Sequence, residues 1–276
     1  MRDESLDPES LTAGSIWKWF PACVFLVLAG GIFLTGSNKD LFFFINQASR
    51  ITGDTFWAFL TVLSDGLVVF VLLFPMIYRK PRLIWAVLVA AALLTVFGQA
   101  IKHVSRIPRP PRVLSSESFH LIGPDWGYNS FPSGHASMIF SLAGLFSLSV
   151  KKYWLRLLFI GLALVIAAAR IVVGVHWPVD VLAGAALGWF SIWIGLEISE
   201  RTAWAWRGIG QKILGAVFLV LCSALFFVDH TGYESIMGFQ RTVAVLSLVI
   251  GGHEYARTYG WKGLFSRARR LPGKTE

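Results

Sequence analysis

Residues 154–198 read WLRLLFIGLALVIAAARIVVGVHWPVDVLAGAALGWFSIWIGLEI. They form two apolar runs, 154–175 and 179–198, hinged on a polar block, RIVVGVHWPVD at 170–180. Each run is close to the roughly 20 residues that cross a bilayer as helix. Pro178 suits the first turn of the second helix. Working outward, further apolar runs occur near 16–36, 57–78, 83–102, 133–150, 211–228 and 240–252. We expect an all-α fold, a polytopic transmembrane helix bundle of eight spans. Six or seven are the alternatives, because the run at 57–78 contains Asp65 and Gly66 and the run at 240–252 is short.

Composition supports a membrane chain: 55% of the 276 residues are hydrophobic and only 15% charged, outside the usual balance of a soluble domain. Cys23 and Cys222 both lie inside apolar runs, so neither a disulfide framework nor a thiolate metal site is expected. The net charge of +9 is spread over short loops and the tail, not gathered in one basic stripe with interleaved aromatics, so no nucleic-acid partner is expected. Positive-inside counting explains it instead. Arg79, Lys80 and Arg82 follow the second run, Lys151, Lys152 and Arg156 the fourth, and Arg201, Arg207 and Lys212 the sixth; these loops are expected to be cytoplasmic. The tail, with Arg257, Lys262, Arg267, Arg269, Arg270 and Lys274, falls on the same side if there are eight spans. Before the first run stand Asp3, Glu4, Asp7 and Glu9, with no basic n-region or small-x-small cleavage site, which reads as a retained span and not a signal peptide. Trp17, Trp19, Trp85, Trp154, Trp189 and Trp193 are expected at interfacial or lipid-facing positions. The segment KDLFFFINQASR at 39–50 is too short to span and is expected to lie in the outer interface as a connecting helix.

Two more polar blocks interrupt the apolar sequence, KHVSRIPRP at 102–110 and PSGH at 132–135. Lys102 ends a membrane helix, and Pro108, Pro110 and Pro111 stop that helix and stiffen the turn that carries Arg109. A lone Lys or Arg at a span end is usually a snorkelling side chain. This loop, however, is on the side where basic residues are disfavoured, yet it holds Lys102, Arg106, Arg109 and Arg112. Ser133 is a credible N-cap, leaving the amides of Gly134 and His135 free to face an anion. In the block at 170–180, Asp180 lies four positions after His176, so a hydrogen bond from the imidazole Nδ1 can fix its tautomer and leave Nε2 as a nucleophile, while Arg170 adds a third cation. Taken singly, these are a cap, a snorkelling cation and an interfacial histidine. Together on one membrane face they point to a phosphate-ester hydrolase with a histidine nucleophile.

The three blocks resemble the signature of the type 2 phosphatidic acid phosphatase superfamily, in its bacterial membrane branch; the superfamily includes lipid phosphate phosphatases and vanadium haloperoxidases. The match runs K-x-x-x-x-x-x-R-P, P-S-G-H and R-x-x-x-x-x-H-x-x-x-D over residues 102–180, with Ala169 where the pattern has Ser. The resemblance implies that Lys102, Arg109, Ser133, Gly134 and Arg170 hold the phosphoryl oxygens, His176 attacks phosphorus, His135 protonates the leaving oxygen and Asp180 orients His176. It implies no cofactor and no metal; His103, His120, His230 and His253 have no metal-binding spacing. His103, beside Lys102, is a candidate for a supporting role. It also implies a six-helix phosphatase core, so the chain divides into an N-terminal cytoplasmic segment at 1–15, a core at 16–204, additional transmembrane helices at 205–252 and a basic cytoplasmic tail at 253–276. The partners expected are the bilayer and a lipid phosphate or pyrophosphate at the periplasmic face of a bacterial inner membrane: undecaprenyl pyrophosphate by analogy, with phosphatidylglycerol phosphate, phosphatidic acid and lipid A as further candidates. A lipid-to-lipid phosphotransferase uses the same site; an anion transporter is the alternative of a different class.

Overall fold

A computed structural model describes residues 16–125, 127–229 and 231–259, and the described secondary structure is entirely helical. The first apolar run forms α1 (Phe20–Thr35), which ends at Gly36 with φ 70° and turns by 108° into α2 (Asn38–Asn46) and α3 (Ser49–Thr52). The second run is broken, as its internal acid foreshadowed, into α4 (Asp54–Leu63) and α5 (Gly66–Leu73), bent by 65°. Asp65 causes the restart: its Oδ1 accepts from the amides of Leu67 at 2.9 Å and Val68 at 3.2 Å, an N-cap in mid-run. Then follow α6 (Pro81–Ser105), the single turn α7 (Pro110–Val113), α8 (Gly134–Ser149), α9 (Tyr153–Val172), α10 (Pro178–Arg201), α11 (Ala203–Trp206), α12 (Gly208–Phe227) and α13 (Met237–Tyr259).

By length and composition, α6, α9, α10, α12 and α13 can each cross a membrane, making five, or seven if each bent pair counts as one span. The short apolar helix α8, with 16 residues, accounts for the remaining run. The last run is longer than its apolar stretch suggests. Helix α13 has 23 residues, because polar residues at both ends find partners in neighbouring turns, buried Gln240 with Thr231 and Glu254 with Arg79. It also carries residues 253–259 past the expected start of the tail; segment 1–15 and tail residues 260–276 lie outside the described residues.

The centre of the bundle is α10, packed against α8, α6 and α1. A side chain at Gly188 of α10 would collide with the Ser137 carbonyl of α8, so glycine is what lets these two backbones touch. Ser141 closes the contact by donating to the Gly188 carbonyl at 2.9 Å. One tryptophan departs from expectation. Trp189 is wholly buried in this seam, its indole nitrogen donating to the Trp17 carbonyl at 3.1 Å, because the small residues of α8 leave room for a large one.

The two ends of the bundle differ. At one end, Lys18 pairs with Glu197 at 3.0 Å, Arg82 with Glu200, Arg79 with Glu254 at 3.7 Å, and Arg156 lies over the Trp17 ring. The start of α1, the α5–α6, α8–α9 and α10–α12 connections and the end of α13 therefore share one side. The polar blocks gather at the other.

Candidate active site

The three blocks are sewn together by main-chain hydrogen bonds. Lys102 sits in the last turn of α6, and Arg106, in the left-handed region at φ 48°, ends that helix. Arg109 is extended and introduces the prolines of α7. The Trp177 indole donates to the Pro108 carbonyl at 2.9 Å and Arg109 Nη1 to the Val175 carbonyl at 3.4 Å, which ties the first block to the third. The second block joins both: the Ser130 amide donates to the Ile107 carbonyl at 2.8 Å and the Ser133 amide to the Asp180 carbonyl at 3.0 Å. The Phe131–Pro132 peptide between them is cis.

Around this frame is a cavity of about 260 Å³ lined by Lys102, Arg109, Gly134, His135, Arg170 and His176. Arg170 is only 2% exposed, and its Nε and Nη1, like Nε of Arg109, are buried with no hydrogen-bond partner among the described residues. Buried guanidinium donors without partners carry a large desolvation cost, and a tetrahedral oxyanion is the ligand that relieves it. Ser133 does not line the cavity. It is fully buried and its hydroxyl accepts from the Ala136 amide at 3.4 Å, so it caps α8 and aims the helix N-terminus at the cavity. His103 is exposed and stands outside the lining.

His176 is buried, with Nδ1 3.4 Å from Asp180 Oδ2 and 3.3 Å from Ser130 Oγ. Ser130 donates to the same carboxylate oxygen, which also accepts from the Trp177 amide at 2.8 Å. With its proton given to Asp180, the Ser130 oxygen can only accept from Nδ1–H, so both contacts select one tautomer and leave Nε2 for the cavity. Burial first, then the charges of Arg109, Arg170, Lys102 and His135, hold the His176 pKa well below the ordinary imidazole range, which keeps the ring neutral. His135 Nε2 lies 3.8 Å from Asp65 Oδ2, so the carboxylate that restarts α5 also faces the second histidine.

Sequence reasoning missed Ser130, Tyr233, Thr231 and the inward role of Asp65, the last three of which line the cavity. The sequence does carry a signal for Asp65, an acid inside an apolar run, but that signal alone marks only a span boundary. It also missed Asn46 of α2. Buried Asn46 donates to the His120 and Val172 carbonyls and accepts from the His120 amide, each at 2.8 Å, clasping the α7–α8 loop to the end of α9. A second cavity of about 430 Å³ shares Lys102 and Gly134 with the first and continues along Leu67, Phe70, Leu94 and Met138. A polar pocket and a largely apolar groove thus adjoin at Lys102 and Gly134. Lys102, Arg109 and Arg170 line the cavity together with one carboxylate, Asp65.

Comparison with known proteins agrees with this geometry. Residues 83–204 match the family model described as the PAP2 superfamily. The chain is similar to an undecaprenyl-diphosphatase of Sulfolobus acidocaldarius, 30% identical over 67% of this chain and 92% of that protein. It also resembles a lipid A 1-phosphatase of Rhizobium etli, 41% identical over 24% of this chain and 28% of that protein. Among solved structures, LpxE of Aquifex aeolicus is similar with a TM-score of 0.51 and 33% identity, covering 58% of this chain and 94% of that one. A PAP2-type phosphatidylglycerolphosphate phosphatase of Bacillus subtilis, at 20% identity, shares the fold with a TM-score of 0.51 over 68% of this chain and 98% of its own. A cavity of cations beside an oriented histidine, in a bundle like these, is explained by common descent: the chain belongs to the PAP2 superfamily and is a membrane phosphatase.

Proposed function

We propose that this protein hydrolyses the phosphate or pyrophosphate group of a membrane lipid, with undecaprenyl pyrophosphate the preferred candidate, through a phosphohistidine on His176 at the periplasmic face of a bacterial inner membrane. The observation that carries the reading is the single cavity in which unpartnered guanidinium donors of Arg109 and Arg170 stand beside a neutral, oriented His176. Phosphoryl transfer is mostly positioning and charge stabilisation. Lys102, Arg109, Arg170 and the amides at the start of α8 hold the non-bridging oxygens, with Ser133 serving through the cap it provides. His176 Nε2 attacks phosphorus, the bond from phosphorus to the leaving oxygen breaks, and His135 gives that oxygen a proton. Water then attacks the phosphohistidine, returns a proton to His135, and the phosphorus–nitrogen bond breaks to release phosphate.

The lipid substrate follows from the apolar groove, which meets the polar cavity at Lys102 and Gly134 and suits the chain of an amphiphile. The pyrophosphate preference rests on the named activity of the Sulfolobus relative. Positive-inside counting supports the periplasmic side, because the basic end of the bundle is opposite the site. The test is phosphate release by purified protein from a panel of undecaprenyl pyrophosphate, phosphatidylglycerol phosphate, phosphatidic acid and lipid A, in the presence of a chelator. Fastest release from undecaprenyl pyrophosphate is expected. Phosphorylation of an acceptor lipid without free phosphate would replace hydrolysis by transfer, and silence on every lipid would overturn the proposal.

A further inference from the structure

Helices α12 and α13 lie beyond the family-matched residues 83–204, yet the connection between them turns back into the phosphate cavity. Tyr233 does this. It is 4% exposed, lines the cavity with Arg109, Arg170 and His176, and its buried hydroxyl, beside the Arg170 guanidinium, has no acceptor for its proton among the described residues. The segment around it is firmly held. Gln240 of α13, itself buried, donates to Thr231 Oγ1, the Ile236 amide donates to the Tyr233 carbonyl at 2.9 Å, and the Gly232 amide donates to Asp229 Oδ1 at 3.1 Å. The ring lies so close to Gly123 that a side chain there would fall into it, so the α7–α8 loop has made room for the aromatic ring.

A buried hydroxyl needs a partner, and the surroundings decide which kind. Arg170 and Arg109 carry only donors, so they satisfy the phenol's lone pairs at most; its proton requires an acceptor. Burial also raises the Tyr233 pKa against the opposing effect of Arg170, so the proton is retained. The acceptors that line the cavity, Asp65 and Nε2 of His176, make no hydrogen bond to the phenol, and the ligand that brings further acceptors is the phosphoryl group. We propose that Tyr233 is a phosphate-binding residue supplied by the C-terminal helix pair, its hydroxyl donating to a phosphoryl oxygen in the cavity it shares with Arg170. This rests on the phosphatase reading above and gives the last two helices a part in the site: they close a wall of the phosphate cavity.

A packing role and a binding role predict opposite things for Tyr233→Phe, which keeps the ring and deletes the hydroxyl. The ring fills the same space in this variant, so a cooperative melting transition of the ligand-free protein verifies that the fold is kept. Inhibition by orthovanadate and by inorganic phosphate should each weaken about tenfold, the loss expected for a hydrogen bond to a charged group, and KM for the lipid should rise with them. Unchanged inhibition constants in an active variant would overturn the proposal. Phosphate release by the wild type is measured alongside: its absence overturns the hydrolase reading itself, whereas an active wild type with an indifferent Tyr233→Phe variant overturns only the role of Tyr233.

Discussion

Ser130 gives its proton to Asp180 and its lone pair to His176, so the imidazole is oriented by two groups and not one. Ser130→Ala should lower kcat by about tenfold, the loss of one hydrogen bond to the ring. Asp180→Asn should cost far more, about a thousandfold, because the ring loses its anionic partner and its tautomer preference. Steady-state kinetics on one lipid substrate distinguish the two. The pH profile carries the sign of the buried environment. A nucleophilic His176 must be neutral, and its pKa is held well below the ordinary value of about 6.5, so the acid limb of kcat/KM should fall only below that value. An acid limb at or above the ordinary value would contradict it. Stability follows the same direction: below the usual imidazole pKa the unfolded chain binds a proton that folded His176 refuses, so the fold loses stability as pH falls. Lys102, Arg109, His135, Arg170, His176 and Asp180 were legible because each stands in a short block where a charge interrupts apolar sequence. Ser130 was not, since a single serine in a loop carries no pattern and its partner is 46 positions away.

At the scale of the elements, apolar run length located the helices well where both ends are charged, as in α6, α9 and α10. It misjudged helices whose ends are satisfied by tertiary partners. The run at 240–252 grew into Met237–Tyr259 because Gln240 is satisfied by Thr231 of the α12–α13 connection and Glu254 by Arg79 of the α5–α6 turn, and Trp189 went inward because its neighbours across the seam are small. Helix α2 shows the same lesson from the other side. Its apolar face was readable, but Asn46 works through carbonyls as far as 126 positions away, which no local pattern reveals. Removing that clasp leaves a buried amide and two carbonyls without partners, so Asn46→Ala should destabilise the protein by about 2–3 kcal/mol. A lowered melting temperature, with activity falling only as the protein unfolds, is the expected result; an unchanged melting temperature would show that the clasp is not needed.

For the whole molecule, the ion-paired cations Lys18, Arg79 and Arg82 lie at one end of the bundle and the phosphate cavity at the other, and the proposed topology puts that cavity on the outer face. In a background with Cys23 and Cys222 replaced by alanine, a membrane-impermeant maleimide applied to intact inner-membrane spheroplasts should label Ser116→Cys. It should reach Lys152→Cys only after permeabilisation. The reverse pattern would invert the topology. The central claim is that His176 carries the phosphoryl group. Purified wild type mixed with a radiolabelled lipid pyrophosphate and quenched in alkali should retain protein-bound label that is stable in base and lost in acid, and His176→Ala should retain none and release no phosphate. Label retained on that variant, or full turnover without His176, would contradict the account.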